Sequence, residues 1–432
     1  MFAWAGEALL ARLAPWRHAP AWRVAFSGGL DSTVLLHALA VLRDQQHDLP
    51  PLTALHIHHG LQTVADAWVA HAEQQCAALG VPLTVQRVQV ASGASVEAQA
   101  REARYQVFTA QLAAGELLLL AQHADDQAET LLFRLLRGAG VRGLAAMPAQ
   151  RPVGQGTLFR PLLAVPRAEL ERYARHHQLS WIDDPSNRDT QLDRNFLRLN
   201  VLPLLRERWP QLHSNVLRTA EHAAESDQLL AELAELDLQQ AQLELPAHLA
   251  ALNLPALALD VLKALSPQRQ RNVLRHWLRE RSDMPDSRHW QGWQDLLMAS
   301  DDAEPVWRWQ TGSVRRSRTA IWWLPQRLEN PPEAQALAAH ADWQPLPGNG
   351  QCRVQGDVPA QPLSVRYRQG GEVLRLAGRG SRDLKRYLQE QQIPAFLRSR
   401  WPLLYAGEQL LCVANLAPAT DEGVSLLWQP DF

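Results

Sequence analysis

Residues 27–32 read Ser27-Gly28-Gly29-Leu30-Asp31-Ser32. The stretch follows a short apolar run at 22–26. It precedes Val34, Leu35, Ala38, Leu39 and Leu42, whose spacing predicts a helix. A strand, a glycine turn and a helix are therefore expected in succession. Two glycines let the backbone turn tightly and come close to a ligand. The helix N-terminus adds unpaired N–H groups and partial positive charge, and Ser27 and Ser32 add hydroxyls. Together they make a nest for phosphate. The G-K-[ST] ending of a Walker loop is absent, as is G-x-G-x-x-G. Asp31 would repel phosphate unless a divalent cation lay between them, so it is the candidate ligand for Mg²⁺. The plainer reading is a helix N-cap, a common place for Ser and Asp.

Outward from this loop the first half alternates strand and helix. Strands are expected at 52–57, 82–90 and 117–121, and helices at 66–79, 96–112 and 128–136. Gly138 and Gly140 stop the last helix. Such alternation implies a doubly wound parallel sheet covered on both faces. Ligands of such sheets bind beyond the carboxyl ends of the strands. The pattern changes near residue 215. Residues 216–240 and 256–300 read as helical, and 307–323 as a hairpin turning near Gly312. A proline-rich stretch reads as a linker. The last 70 residues mix short strands, such as 363–367, with one helix near 382–391. The expected architecture is α/β. Residues 1–215 form the sheet domain, 216–330 a mainly helical domain, 331–360 a linker and 361–432 a small α+β domain.

Four further segments decide the chemistry. They are His56-Ile57-His58-His59-Gly60-Leu61, the run from Glu97 through Arg101 and Arg104 to Tyr105, the run from Gln122 to Thr130, and the run from Asp183 to Arg198. Asp125, Asp126 and Glu129 stand three and four apart, so they share a helix face at a strand end. Acidic residues in a first helical turn also merely complement the dipole. Arg101 with Arg104, and Arg194 with Arg198, each place two guanidiniums on one face. A solvated face, or pairing with Glu97, Glu102 or Asp193, competes with that reading. The strand-end positions of His58, His59 and His123 suit nucleotide contacts better than a zinc site.

In this order and spacing the segments resemble the tRNA(Ile)-lysidine synthetases, a branch of the PP-loop ATP pyrophosphatases. Gly370-Gly371-Glu372, Leu384-Lys385, Ile393-Pro394 and Pro402-Leu403-Leu404 resemble that family's terminal domain. The resemblance implies an ATP-dependent ligase. ATP would activate the wobble cytidine of the CAU anticodon at O2 with release of pyrophosphate. The ε-amine of free L-lysine would then attack C2 and expel AMP. It implies ATP contacts at Ser27, Gly28, Gly29, Leu30, Asp31, Ser32 and His58. Asp31, Asp125, Asp126 and Glu129 become the catalytic carboxylates, one of the last three holding the lysine amine. For tRNA it points to Arg101, Arg104, Arg194 and Arg198. Two patches join them: Arg271, Arg275 and Arg279 on one helix face, and Arg382, Lys385 and Arg386 near the C-terminus. The chain has Gln62 where the family often has Arg, which puts any phosphate contact of that Arg in question. Oligomeric state stays open, a homodimer included.

Composition agrees with this picture and excludes others. The chain has 432 residues, 46% hydrophobic and 20% charged, as in globular proteins. Net charge is −2, so RNA contact must come from local patches. No apolar run approaches the roughly 18 residues of a membrane span. The N-terminus reads as an amphipathic helix, not a secretory leader. Cys76, Cys352 and Cys412 lie far apart, with no C-x-x-C pair. A reducing, cytoplasmic setting is expected. Thiolating relatives of the PP-loop class usually need paired cysteines, and the ammonia-using ligases need a glutaminase cysteine. A non-catalytic ATP-dependent tRNA-binding module is the remaining alternative, and Asp31 argues against it.

Overall fold

The computed structural model describes all residues except 1, 59, 61–64, 90–95, 283–289, 301–302, 339–341, 377–379 and 417–422. His59 and Gln62 lie outside the described residues, as does the side chain of Glu97. The chain forms two compact units, Met1–Gln228 and Leu229–Phe432. Among the described residues no helix is long and apolar enough to cross a membrane.

The first unit runs α1 (Glu7–Leu13), β1 (Trp22–Ala25), α2 (Leu30–Gln45), β2 (Leu52–His58), α3 (Ala65–Ala78), β3 (Leu83–Arg87), α4 (Val96–Gln111) and β4 (Leu117–Leu119). It continues with α5 (Ala124–Leu136), α6 (Val141–Leu144), β5 (Gln150–Val153), β6 (Gly156–Phe159), α7 (Arg167–His176), α8 (Asp193–Phe196), a π turn (Leu197–Val201) and α9 (Leu202–Arg208). The long helix α10 (Leu212–Gln240) follows. The sheet order is β3-β2-β1-β4-β6-β5. All neighbours are parallel except β5, which is antiparallel to β6.

Side-chain alternation explains why helices cover both faces. Leu117 and Leu119 of β4 join Trp22, Val24 and the helix residues Leu35, Leu39, Ala72 and Leu170 in one core. Leu118 and Leu120 turn the other way, into a second core with Phe108 and Leu158. The chain reverses direction across the sheet between β1 and β4, and a crevice opens at such a point beyond the strand ends. The helix expected at 128–136 starts earlier, at Ala124, so Asp125 and Asp126 lie in its first turn.

The second unit begins within the run of α10 and adds α11 (Ala247–Ala250), β7 (Ala256–Ala258), α12 (Leu259–Ala264), α13 (Pro267–Leu278) and α14 (Trp290–Met298). Strands β8 (Val306–Arg308), β9 (Gly312–Arg316) and β10 (Ala320–Pro325) complete a sheet of order β7-β10-β9-β8. Two expectations are corrected here. Residues 256–258 are a strand, although Ala-Leu-Ala favours helix, because they pair with 320–322 of β10. The single hairpin expected at 307–323 is a three-stranded meander. Gly312 starts β9 rather than turning it, and a Cβ there would strike the Leu324 carbonyl and the Trp323 ring.

The stretch expected as a linker, 331–360, is also structured. It supplies β11 (Gln335–Leu337), β12 (Gln344–Pro345) and β13 (Gln351–Gln355). Pro345 is tolerated because β12 pairs only with β13, leaving it at a sheet edge. Then come β14 (Leu363–Arg366), β15 (Val373–Leu376), β16 (Gly380–Asp383), α15 (Leu384–Glu390), α16 (Ala395–Arg398), β17 (Leu403–Ala406), β18 (Gln409–Val413) and β19 (Ser425–Gln429). Leu337, Leu346 and Cys352 share one core with Leu249, Trp322, Leu363, Leu388 and Trp401. Burial of these apolar side chains binds the stretch to its neighbours despite its prolines.

Candidate active site

The glycine loop is built at the carboxyl end of β1. Gly28 has φ +81°, which an L side chain rarely adopts, and a Cβ there would lie 3.0 Å from Ile182 Cδ1. The Ile182 amide donates to the Gly28 carbonyl at 2.9 Å. The hydroxyls brace the turn: the Ser27 amide donates to Ser32 Oγ at 3.2 Å, and the two Oγ atoms are 3.0 Å apart. Ser32 Oγ donates to the Gly29 carbonyl at 3.1 Å. Gly29 caps α2 with its backbone and no side chain caps the helix N-terminus. The nest stays open for an anion.

Asp31 stands in the first turn of α2, facing the start of α5. Its Oδ2 is 3.5 Å from Nε2 of the buried His123, while Oδ1 is buried without a hydrogen-bond partner. Burial alone would raise the Asp31 carboxyl. The His123 hydrogen bond and charge, with Arg167 and Arg198 beyond, carry it below its ordinary value. Burial would lower His123, but the carboxylates of Asp126, Asp31 and Asp125 outweigh it and raise the imidazole. His58, at the end of β2, is buried, with Nε2 3.4 Å from Asp66 Oδ1. His56 Nδ1 is 2.9 Å from the Phe26 carbonyl and ties β2 to the loop.

The three carboxylates of α5 have different surroundings. Asp125 Oδ1 meets Arg206 Nη2 at 2.5 Å and His213 Nε2 at 3.2 Å. Its Oδ2 accepts from the Arg167 amide at 2.9 Å. Burial would raise this carboxyl, but the His213 hydrogen bond, the Arg167 amide and the charges of His213 and Arg206 hold it far below its ordinary range. Glu129 is 0% exposed. It accepts from Arg194 Nε at 3.0 Å, and from Arg198 Nε and Nη2 at 2.7 and 2.9 Å. Asp126 keeps more freedom. Its Oδ2 accepts from the His123 amide at 3.0 Å and lies 3.5 Å from His123 Nε2, and Oδ1 is 3.7 Å from both guanidiniums.

The sheet thus brings Ser27, Asp31, Ser32, His123, Asp126, Glu129, Arg194 and Arg198 together. Sequence reasoning missed Arg167, Arg206, His213 and Ile182, which hold that group in place. No local spacing links these to α5 or the loop. It also missed that Arg194 and Arg198 pair with Glu129, which lies 65 and 69 residues before them.

The other expected RNA contacts lie elsewhere. Arg101 and Arg104 are exposed on α4, with the Arg101 guanidinium 5.2 Å from the Tyr105 ring centre. In the second unit Arg271 and Arg275 lie on α13, Arg275 5.1 Å from the Trp290 ring centre, and Arg279 falls just past the helix end. Arg382 and Arg386 both bridge to Glu390, and Lys385 is exposed. All three cysteines are buried. Burial pushes the thiols of Cys76 and Cys352 up to about 11 and that of Cys412 to about 12, which makes them poor nucleophiles.

A glycine nest and an aspartate at the switch point of a parallel sheet define a PP-loop ATP-binding protein. Residues 6–205 match the family model of the PP-loop domain. Residues 257–322 match that of the TilS substrate binding domain, and 363–424 that of the TilS substrate C-terminal domain. The tRNA(Ile)-lysidine synthase of Pseudomonas aeruginosa is 55% identical, covering 98% of this chain and 96% of its own length. That of Alkalilimnicola ehrlichii is 45% identical over 96% of this chain and 93% of its own. The chain belongs to the tRNA(Ile)-lysidine synthase family. It is accordingly a ligase that uses ATP to modify tRNA.

Proposed function

We propose that this chain joins free L-lysine to C2 of the wobble cytidine in the CAU anticodon of tRNA(Ile), in the cytoplasm, through an adenylated cytidine. The observation that carries the reading is the convergence of the open phosphate nest, Asp31 and the α5 carboxylates at one strand-end crevice, in a chain of this family. Buried, high-pKa cysteines disfavour thiolation.

The loop amides, Ser27 and Ser32 receive the phosphates of ATP. His58, at the neighbouring strand end, borders the same nucleotide. Magnesium fits beside them: Asp31 Oδ1 is a buried acceptor without a protein partner, and Mg²⁺ commonly takes one or two carboxylates plus phosphate oxygens. When bound, the ion offsets charge on the transferring phosphate. Asp31 would hold it, with His123 orienting the carboxylate. Attack by the cytidine O2 forms the bond to the α-phosphate, and pyrophosphate leaves. The lysine ε-amine then bonds to C2, loses a proton and expels AMP.

Of the three carboxylates, Asp126 has the longest contacts to its neighbouring guanidiniums, which favours it as the group that takes the lysine ammonium and its proton. Glu129 sets the two guanidiniums beside Asp126, where they face phosphate or the base. Asp125 holds α5 to α7, α9 and α10. The exposed arginines of α4 and the basic patches of the second unit are assigned to the tRNA backbone. Asp31→Asn tests the site: pyrophosphate release should vanish while tRNA affinity stays within about twofold. Wild-type turnover in that variant would remove Asp31 from the reaction.

A further inference from the structure

Thirteen large apolar side chains are exposed among the described residues, and eight of them fall between 135 and 209. This crowding borders the site. Leu135 and Leu136 end α5, Val141 lies on α6, and Leu192, Phe196 and Leu199 lie on α8, its preceding residue and the π turn. Helix α5 packs against α6, α8 and the π turn, the elements that carry these exposed side chains. Phe196 is 49% exposed. It is forced outward because its neighbours point in. Asn195 is buried, its Nδ2 donating to the Ser186 and Asp189 carbonyls at 2.9 Å each, and Leu197 is buried on the other side.

The same segment turns Arg194 and Arg198 toward Glu129 and Asp126. Phe196 lies two residues from each arginine, about half a turn round the helix, so the exposed ridge is on the opposite face of this short segment from the reacting groups. Arg137 and Arg142 are exposed among these apolar groups. Exposed apolar side chains on elements that also carry exposed guanidiniums suit single-stranded RNA, whose unstacked bases lie on aromatic side chains while phosphates meet arginine. A solvated helix would not present Leu, Phe and Leu at successive outward positions.

We propose that the ridge of Leu192, Phe196 and Leu199 receives an unpaired base of the tRNA loop adjacent to the reacting cytidine, with Phe196 as the stacking surface. The proposal rests on the tRNA reading above. Stacking outside the pocket would hold the loop open so that one base enters the crevice. Phe196 is not one of the groups placed in the catalytic machinery.

The test uses the full chain and an anticodon stem-loop RNA carrying 2-aminopurine next to the wobble cytidine. Binding to the unaltered protein should quench the fluorophore. Phe196→Ala should abolish most of the quenching and weaken RNA affinity about tenfold, in line with ~1–3 kcal/mol per stacked base. ATP affinity should not change. Phe196→Trp should restore both signals, which a merely structural role would not do. Leu199→Ala should give a smaller loss of the same kind. Unchanged quenching and affinity in both alanine variants would overturn the proposal. So would a dimer, seen by light scattering, that dissociates in Phe196→Ala while RNA affinity holds, since the ridge would then join two copies of this chain. A wild-type protein that quenches the probe but forms no lysidine would instead contradict the reaction, leaving the stacking site measured.

Discussion

At the scale of single residues, charge partners sort the site better than spacing does. Asp125, Asp126 and Glu129 look equivalent on a helical wheel. Long-range partners separate them, and those partners come from α7, α8, the π turn, α9 and α10, so only folding reveals them. The loop was legible because a phosphate nest is local: glycines, hydroxyls and a helix start all fall within Ser27 to Ser32. The depressed Asp125 carboxyl gives a pH prediction with a definite sign. A lowered folded value means stability is fully present above the ordinary value of 3.8 and is lost as pH falls through the folded one. Asp125→Asn should flatten the acid limb of a stability-versus-pH curve measured by urea titration between about pH 2 and 6. An unchanged acid limb would mean that the Arg206 and His213 contacts contribute nothing.

At the scale of elements, the first unit's alternation was readable because each strand and helix announces its own period and its glycine stops. Element ends were less so. Helix α5 begins at Ala124 because the His123 amide is already satisfied by Asp126, which moves the acidic pair into the first turn. The strand at 256–258 was hidden because its partner, 320–322, lies far downstream. The Glu129 pairing with α8 and the π turn makes a second prediction. Arg198→Ala leaves a carboxylate that is 0% exposed with one fewer partner. Removing one member of a buried pair costs about 3–5 kcal/mol, and Arg194 remains to offset part of it. A loss of roughly 2–3 kcal/mol is expected by denaturant titration, and a loss below about 0.5 kcal/mol would make the pair a surface contact. Gly28→Ala should also impair ATP binding, since it forces a side chain into φ +81° against Ile182. Equilibrium nucleotide binding checks this, with unaltered affinity as the contrary result.

At the scale of the whole molecule, the chain forms two units that meet at 228, near the boundary expected at 215, and residues on both sides of 330 and 360 share one unit. Composition suggested the later boundaries because prolines cluster there. The single core that unites Leu249, Trp322, Cys352 and Trp401 shows that cutting the chain between Trp322 and Cys352 would open a hydrophobic interior. Point changes therefore test the second unit better than truncation. Arg271→Ala with Lys385→Ala should weaken tRNA binding and lower the salt slope by about one for each phosphate that is no longer neutralised. ATP affinity should hold. An unaltered salt slope would remove these patches from the RNA path.

The central claim is tested most directly by incorporation of radiolabelled lysine into unmodified tRNA(Ile) transcript with a CAU anticodon, in the presence of ATP and Mg²⁺. A transcript with U at the wobble position is the control. The account predicts label in the cytidine transcript alone, dependent on ATP and accompanied by pyrophosphate. Absence of label in the cytidine transcript while pyrophosphate is released would contradict it and point to a different nucleophile at the same PP-loop site.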